Sequence, residues 1–226
     1  MSTFSVIIYI FGALVFSYLL GSVSFAVVIG NCFAHKDVRK MGSGNAGMTN
    51  VMRVIGAKAG IITFVLDCLK GFVAAIVAKS VVFEYIFENR PVAWLSPVYW
   101  GYICGIFCLI GHMYPIFFRF HGGKGVATTA GIILACNPIV FAIGISVFII
   151  AFLISKTVSI SSLLAAITIV IGTAFLYEKT GLIHTRLIQT ALVLLIAAVI
   201  FLKHRDNIDR IANGEEKPLE IKKGGE

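Results

Sequence analysis

Charge is scarce in this chain. Only 13% of its 226 residues are Asp, Glu, Lys or Arg, about half of the ~25% usual in a soluble domain. Hydrophobic residues make up 58% before the 22 glycines are counted, and the mean hydropathy is +0.95. A water-soluble fold of this length cannot cover that much apolar surface. The shortage of charge therefore excludes a disordered chain, a coiled coil and an ordinary cytosolic enzyme. Paired cysteines are missing as well. Cys32, Cys68, Cys104, Cys108 and Cys136 are odd in number and include no C-x-x-C. That excludes a disulfide-stapled secreted module. Further ligands are absent nearby, so no metal is expected, and the five are read as buried small hydrophobes. No Lys or Arg precedes Lys36, so the first apolar run lacks the basic start of a signal peptide and is expected to remain as a helix. Neither a repeat nor a second domain is visible, so residues 1–226 are read as one integral-membrane domain.

What is present is a series of apolar runs, each to be set against the ~20 residues that span a bilayer. The runs are Phe4 to Ile29, Ala59 to Ala78, Val92 to Ile110, Val126 to Cys136, Ile139 to Ile154, Val158 to Tyr177 and Leu187 to Leu202. Asn137-Pro138 is a natural break between the fourth and fifth. The expected fold is an all-α membrane protein of seven transmembrane helices with a short fourth helix. An extracellular N-terminus puts fourteen Lys and Arg residues in the cytoplasmic segments 30–58, 111–125, 155–157 and 203–226, against four outside. This bias satisfies the positive-inside rule and sends the C-terminus to the cytoplasm. The net charge of +8 is thereby explained by orientation in the bilayer, and no nucleic-acid partner is expected. The tail after Leu202 balances six basic against six acidic residues and reads as a solvated end.

Three cytoplasmic segments carry chemistry. In the first, Met41 to Arg53, Gly42, Gly44 and Gly47 match G-x-G-x-x-G. A dinucleotide fingerprint needs a preceding strand, which a helical membrane protein does not offer. The physics beneath the motif survives: glycines let backbone N–H groups converge on an anion, and a helix start adds positive potential. Ser43, Asn45 and Thr49 add neutral hydrogen bonds, and Arg53 adds a bidentate phosphate fork. The plainer alternative is a tight loop between spans. In the second segment, Gly111 to Thr129, Gly122-Gly123-Lys124-Gly125 sets a lysine among exposed amides at the start of the short helix. Phosphate binding stands there against a basic loop that merely obeys topology. His112 is read equally as a packing or surface residue. The third segment runs from Leu202 to Arg210. His204 and Asn207 are i,i+3 and share a helix face, and a histidine there can take a proton near neutral pH. His204 to Asp209 also spells H-x-x-x-x-D, but i+5 on a continuous helix turns the two ~140° apart. Within the second span, Asp67 and Lys70 form an i,i+3 pair, structural or functional, since charges in a bilayer pair or face the protein interior. Ser159, Ser161 and Ser162 read as a helix cap.

Together these segments resemble the bacterial acyl-phosphate:glycerol-3-phosphate acyltransferases of the PlsY type. The likeness rests on Gly42-Ser43-Gly44-Asn45, Gly47, Thr49-Asn50-Val51 and Arg53, then Asp67-x-x-Lys70-Gly71. It continues through Gly111-His112, Pro115, Phe120 to Thr128, Ser162-Leu163, His204 to Ile208 and Arg210. It implies a seven-helix enzyme of the bacterial plasma (inner) membrane, multi-pass. Such an enzyme moves a fatty acyl group from acyl phosphate to glycerol 3-phosphate in phospholipid synthesis, with no cofactor and no metal. By the resemblance Ser43, Arg53, Lys124, His204 and Asn207 are catalytic. Gly42, Gly44, Asn45, Gly47, Thr49, Asn50, Gly122, Gly123, Gly125 and Ser162 bind substrate. Asp206 stands where the family usually has Glu, Met48 where Ala is common and His121 where Lys is frequent. The alternative function is a membrane transporter of a phosphorylated anion, although a transporter should hold its anion near the midplane.

Overall fold

The computed structural model describes residues 3–82, 97–176 and 183–220, and among these every regular element is helical. The helices are α1 (Thr3–Gly21), α2 (Phe25–Ala34), α3 (Met48–Val54), α4 (Ala57–Val77), α5 (Pro97–Met113), α6 (Val126–Cys136), α7 (Pro138–Ser155), α8 (Val158–Phe175), α9 (Ile183–Lys203) and α10 (Arg205–Ala212). Among the described residues six segments are long and apolar enough to cross a membrane: Phe4–Ala34, Ala57–Ser80, Pro97–Phe118, Pro138–Ser155, Val158–Phe175 and Ile183–Lys203. The expected short fourth helix is α6, whose 11 residues rise only about 16 Å at 1.5 Å each. The predicted start of the third run, residues 92–96, and Tyr177 at the end of the sixth lie outside the described residues.

The first run differs from expectation. It is not one helix to Ile29 but two, parted at Ser22-Val23-Ser24, and the second continues to Ala34. The break frees backbone carbonyls inside the protein, where an unsatisfied carbonyl is costly. Lys70 resolves this from α4: its Nζ donates to Gly21 O at 3.0 Å and Val23 O at 2.8 Å. Asp67 Oδ1, 2.8 Å away, balances the charge. The Asp67–Lys70 pair is thus buried and ties α4 to the broken helix. At the other end of α4, Lys79 Nζ donates to Ala135 O, a free carbonyl in the last turn of α6, at 2.8 Å.

Glycines set the closest helix contacts. A Cβ on Gly131 of α6 would lie 1.9 Å from the Cys68 carbonyl oxygen of α4, and one on Gly71 would lie 2.2 Å from that of Thr128. Small residues that let backbones touch are the usual means of helix association in lipid. The interior holds Tyr102, Leu109, Met113, Ile132, Val193 and Ile196, whereas Ile154, Phe175 and Leu202 are among the most exposed side chains. That inversion of a soluble surface suits a lipid solvent. Asn137 ends α6 and caps α7, its Oδ1 accepting from Val140 N at 3.1 Å, with Pro138 in the first turn. Cys104, Cys108 and Cys136 are buried as expected; Cys32, near the end of α2, is instead exposed and Cys68 half-buried.

Candidate active site

The first glycine segment folds around one buried amide. Asn50 Oδ1 accepts from Ser43 N at 2.9 Å, and its Nδ2 donates to Val38 O at 2.7 Å and Met41 O at 3.0 Å. Gly42 and Gly44 take φ of 57° and 71°, left-handed values that cost a side-chain-bearing residue about 1–2 kcal/mol. Asn50 is therefore committed to shaping the loop. Ser43 is exposed, and Asn45, Gly47 and Thr49 are half-buried around it. Arg53, in the last turn of α3, makes no ion pair among the described residues. Asp37 and Arg39 clamp the base of the loop through paired bonds of 3.0 and 2.8 Å. The Arg39 hydrogen bond holds the Asp37 carboxyl below its usual range, against the opposing effect of burial. Arg39 also reaches the second segment, donating to Phe118 O at 2.7 Å.

That second segment lies directly against the first. A Cβ on Gly123 would meet Ala46 O at 2.6 Å and the ring Nε2 of His112 at 2.3 Å, and one on Gly122 would meet His112 O at 2.0 Å. Only glycine fits either place. Gly125, at φ 87°, precedes α6. Between them Lys124 extends its ammonium to Asn207 Oδ1. Burial pulls Lys124 down to about 8, an effect reinforced by Arg210 and Arg53 and opposed by Glu216 and Asp206.

His204 is the hinge of the third segment. The helix does not run through it: α9 ends at Lys203 and His204 caps α10. Its ring contacts Ile200 O through Nδ1 at 2.9 Å. A carbonyl can only accept, so Nδ1 carries the hydrogen and Nε2 keeps a free lone pair. Burial pushes His204 down to about 4, with Lys124 adding to the effect. Asp209 is exposed while His204 is buried, so the H-x-x-x-x-D pair does not converge.

Two residues outside the expected set join this group. Glu216 Oε1 accepts from Ser159 Oγ and, at 2.6 Å, from Asn207 Nδ2; its Oε2 accepts from Arg210 Nε at 2.7 Å. Burial raises the Glu216 carboxyl, but donation from Ser159, Asn207 and Arg210 outweighs it and holds the group ionised. The tail is thus folded back rather than simply solvated, and Leu219 N donates to Lys156 O at 2.9 Å. None of the three serines expected as caps holds the cap of α8, which falls to Thr157: Ser159 turns to Glu216, and Ser161 donates to Thr157 O at 2.9 Å. Ser162, one turn on from Ser159, is buried and donates to Val158 O at 2.8 Å. The structure gathers Lys124, Asn207, Ser159, Glu216 and Arg210 in one hydrogen-bonded chain, with Arg53 and Asp206 within electrostatic reach of Lys124. Asp67 and Lys70 lie apart from it, within the bundle. The Ser159–Ser162 spacing was the one hint of a polar helix face; nothing local marks Glu216. Chemically, the site offers two cations, a neutral imidazole and an exposed hydroxyl beside flexible glycine backbone.

Residues 11–214 match the family model for glycerol-3-phosphate acyltransferase. The chain is 39% identical over 207 residues to the glycerol-3-phosphate acyltransferase of Staphylococcus carnosus, covering 91% of this chain and 96% of that protein. It is 41% identical over 207 residues to that of Staphylococcus haemolyticus, with the same coverage. Among solved structures it is similar to PlsY, an integral membrane glycerol 3-phosphate acyltransferase, in its glycerol 3-phosphate form. There the TM-score is 0.78 at 33% identity, over 94% of this chain and 96% of that one. The lysophosphatidic acid form of the same protein gives a TM-score of 0.75.

Proposed function

As a member of the glycerol-3-phosphate acyltransferase family, this chain, we propose, transfers a fatty acyl group from acyl phosphate to glycerol 3-phosphate. The products are 1-acyl-glycerol 3-phosphate and phosphate. One observation carries the reading: a half-buried lysine on a glycine loop is fastened to the last helix through Asn207, within electrostatic reach of Arg53. Two cations so placed answer two phosphorylated substrates.

The chemistry follows. Acyl phosphate is a mixed anhydride, activated before it binds. A glycerol 3-phosphate hydroxyl oxygen forms a bond to the acyl carbon, the bond from that carbon to the phosphate oxygen breaks, and phosphate leaves. Lys124 and Arg53 stabilise the charge that grows on the leaving group. Neutral His204 presents Nε2 as an acceptor for the hydroxyl proton, and the departing phosphate is the other acceptor. An imidazole that burial holds down to about 4 is a weak base, but phosphate dianions beside it raise it. Ser43, exposed among the glycines, hydrogen-bonds phosphate. No base beside it makes it a nucleophile.

The chain is read as one domain with seven crossings, N-terminus outside and C-terminus in the cytoplasm of a bacterial inner membrane. The bond from Lys79 to the last turn of α6 supports a crossing there despite its length. Purified enzyme given acyl phosphate and glycerol 3-phosphate should release phosphate with time, and acyl-CoA should not replace the donor. Efficient transfer from acyl-CoA at equal concentration refutes the donor assignment. The transporter alternative has no comparable support, since the bonded cluster joins helix ends rather than lining a midplane cavity.

A further inference from the structure

Beneath the Lys124 loop lies a buried polar group that the mechanism does not use. Asp67, Lys70 and His112 are 2%, 2% and 5% exposed. Lys70 Nζ holds Asp67 Oδ1 and both carbonyls of the break between α1 and α2. The other neighbour of Asp67 Oδ1 is His112, whose Nδ1 faces it at 3.5 Å. The opposite edge of that ring meets the loop: Nε2 lies 2.3 Å from where a Gly123 Cβ would sit. The His112 carbonyl accepts from Gly123 N at 3.2 Å. The ring and main chain of one residue thus form the floor under the residue before Lys124.

We propose that His112 is a positioning residue for acyl transfer, held by the Asp67–Lys70 pair and acting through Gly123 on the aim of the Lys124 ammonium. This deepens the function proposed above and rests on it. The physical argument is one of tolerance. A catalytic cation acts only if its place is set before reaction, and a displacement of about 1 Å can cost ~10²-fold. Lys124 sits on a glycine-flanked loop with little stiffness of its own; Asn207 holds the ammonium end, and the register of the loop is set by what it lies on. A packing histidine needs no charged partner; this one faces a carboxylate whose own charge is fixed by a lysine stapled to a broken membrane helix. The expense of burying those charges is accounted for if they hold a loop in register.

The test is a double-mutant cycle in the full-length protein in lipid nanodiscs, with acyl phosphate and glycerol 3-phosphate. His112→Ala should lower kcat by roughly 10–100-fold, the range seen when outer partners of a reacting group are lost. His112→Asn keeps a donor toward Asp67 and should recover part of that loss. In a Lys124→Ala background, His112→Ala should cost less than about threefold, because the residue through which it acts is gone. Equal losses in both backgrounds overturn the proposal and leave His112 a packing residue. Hydrogen exchange supplies a readout independent of the donor. In His112→Asn and Asp67→Asn, amides of 121–126 should exchange faster while those of α7 do not. Uniform acceleration, or none in 121–126, also overturns it, whereas inactivity of the unsubstituted enzyme with acyl phosphate counts against the donor assignment alone.

Discussion

Lys124 illustrates how a residue's chemistry depends on what surrounds it. In water its ammonium would stay charged to about pH 10.4; here burial brings it to about 8. Below that value the cation is present, and above it the cation is lost. The kcat/KM profile, which reports the free enzyme, should therefore fall as pH rises past about 8. Lys124→Arg should move the falling limb upward, because a guanidinium keeps its proton. Glu216→Ala should move it downward, because that carboxylate raises the lysine. Lys124→Ala and Arg53→Ala should each lose ~10²–10³ in rate with unfolding temperature preserved, while Asp209→Ala, exposed and unconnected, should change neither. Phosphate-release rates beside thermal unfolding check all three. Lys124 and Asn207 were legible in the sequence because glycines and i,i+3 spacing advertise them. Glu216 was not. It lies in a charge-balanced tail, and its partners Ser159 and Asn207 are brought to it only by the fold.

The break in the first span shows why elements resist local reading. Nothing between Phe4 and Ile29 is charged, so hydropathy runs on through Ser22-Val23-Ser24. The group that makes the break affordable is Lys70, far along the chain on α4. By contrast Asn137-Pro138 was legible, because both cap and stop are encoded on the spot. Helix contacts give a prediction at this scale. Gly131→Ala puts a methyl 1.9 Å from the Cys68 carbonyl oxygen, which backbone cannot yield to cheaply. Overpacking of this kind costs ~1–3 kcal/mol, and the unfolding temperature should drop. Gly12→Ala is the matched comparison: nothing lies within 4 Å of its Cβ, and the helix gains ~0.5–1 kcal/mol of propensity. If both variants melt alike, close backbone approach is not what holds α4 to α6.

For the whole molecule, the order of events follows from the site's composition. No base lies beside Ser43 among the described residues, and Ser162 spends its hydroxyl on its own helix. Direct transfer, with no covalent station on either serine, is the order of events this favours. Initial rates measured across both substrates should give intersecting lines, and donor alone should leave no acyl mass on the chain. Parallel lines, or an adduct that disappears on adding glycerol 3-phosphate, would exclude direct transfer. The membrane class and the short fourth helix were legible because composition and run length act globally. The folded-back tail was not, because solvation and docking look the same in a polar segment.

The bonds from Ser159, Asn207 and Arg210 to Glu216 also bear on timing during synthesis. Lys124, Ser159, Asn207 and Glu216 meet in one bonded cluster, so a nascent chain threads helix after helix into the bilayer with that cluster incomplete. That cluster closes only when the ribosome has delivered residue 216 and the tail has swung back onto α8. The product is a single-chain amphiphile, which disturbs bilayers when it accumulates. An unfinished copy lacks the carboxylate that raises Lys124, so the enzyme reaches its full pH range for making that amphiphile only once its last-made segment has docked.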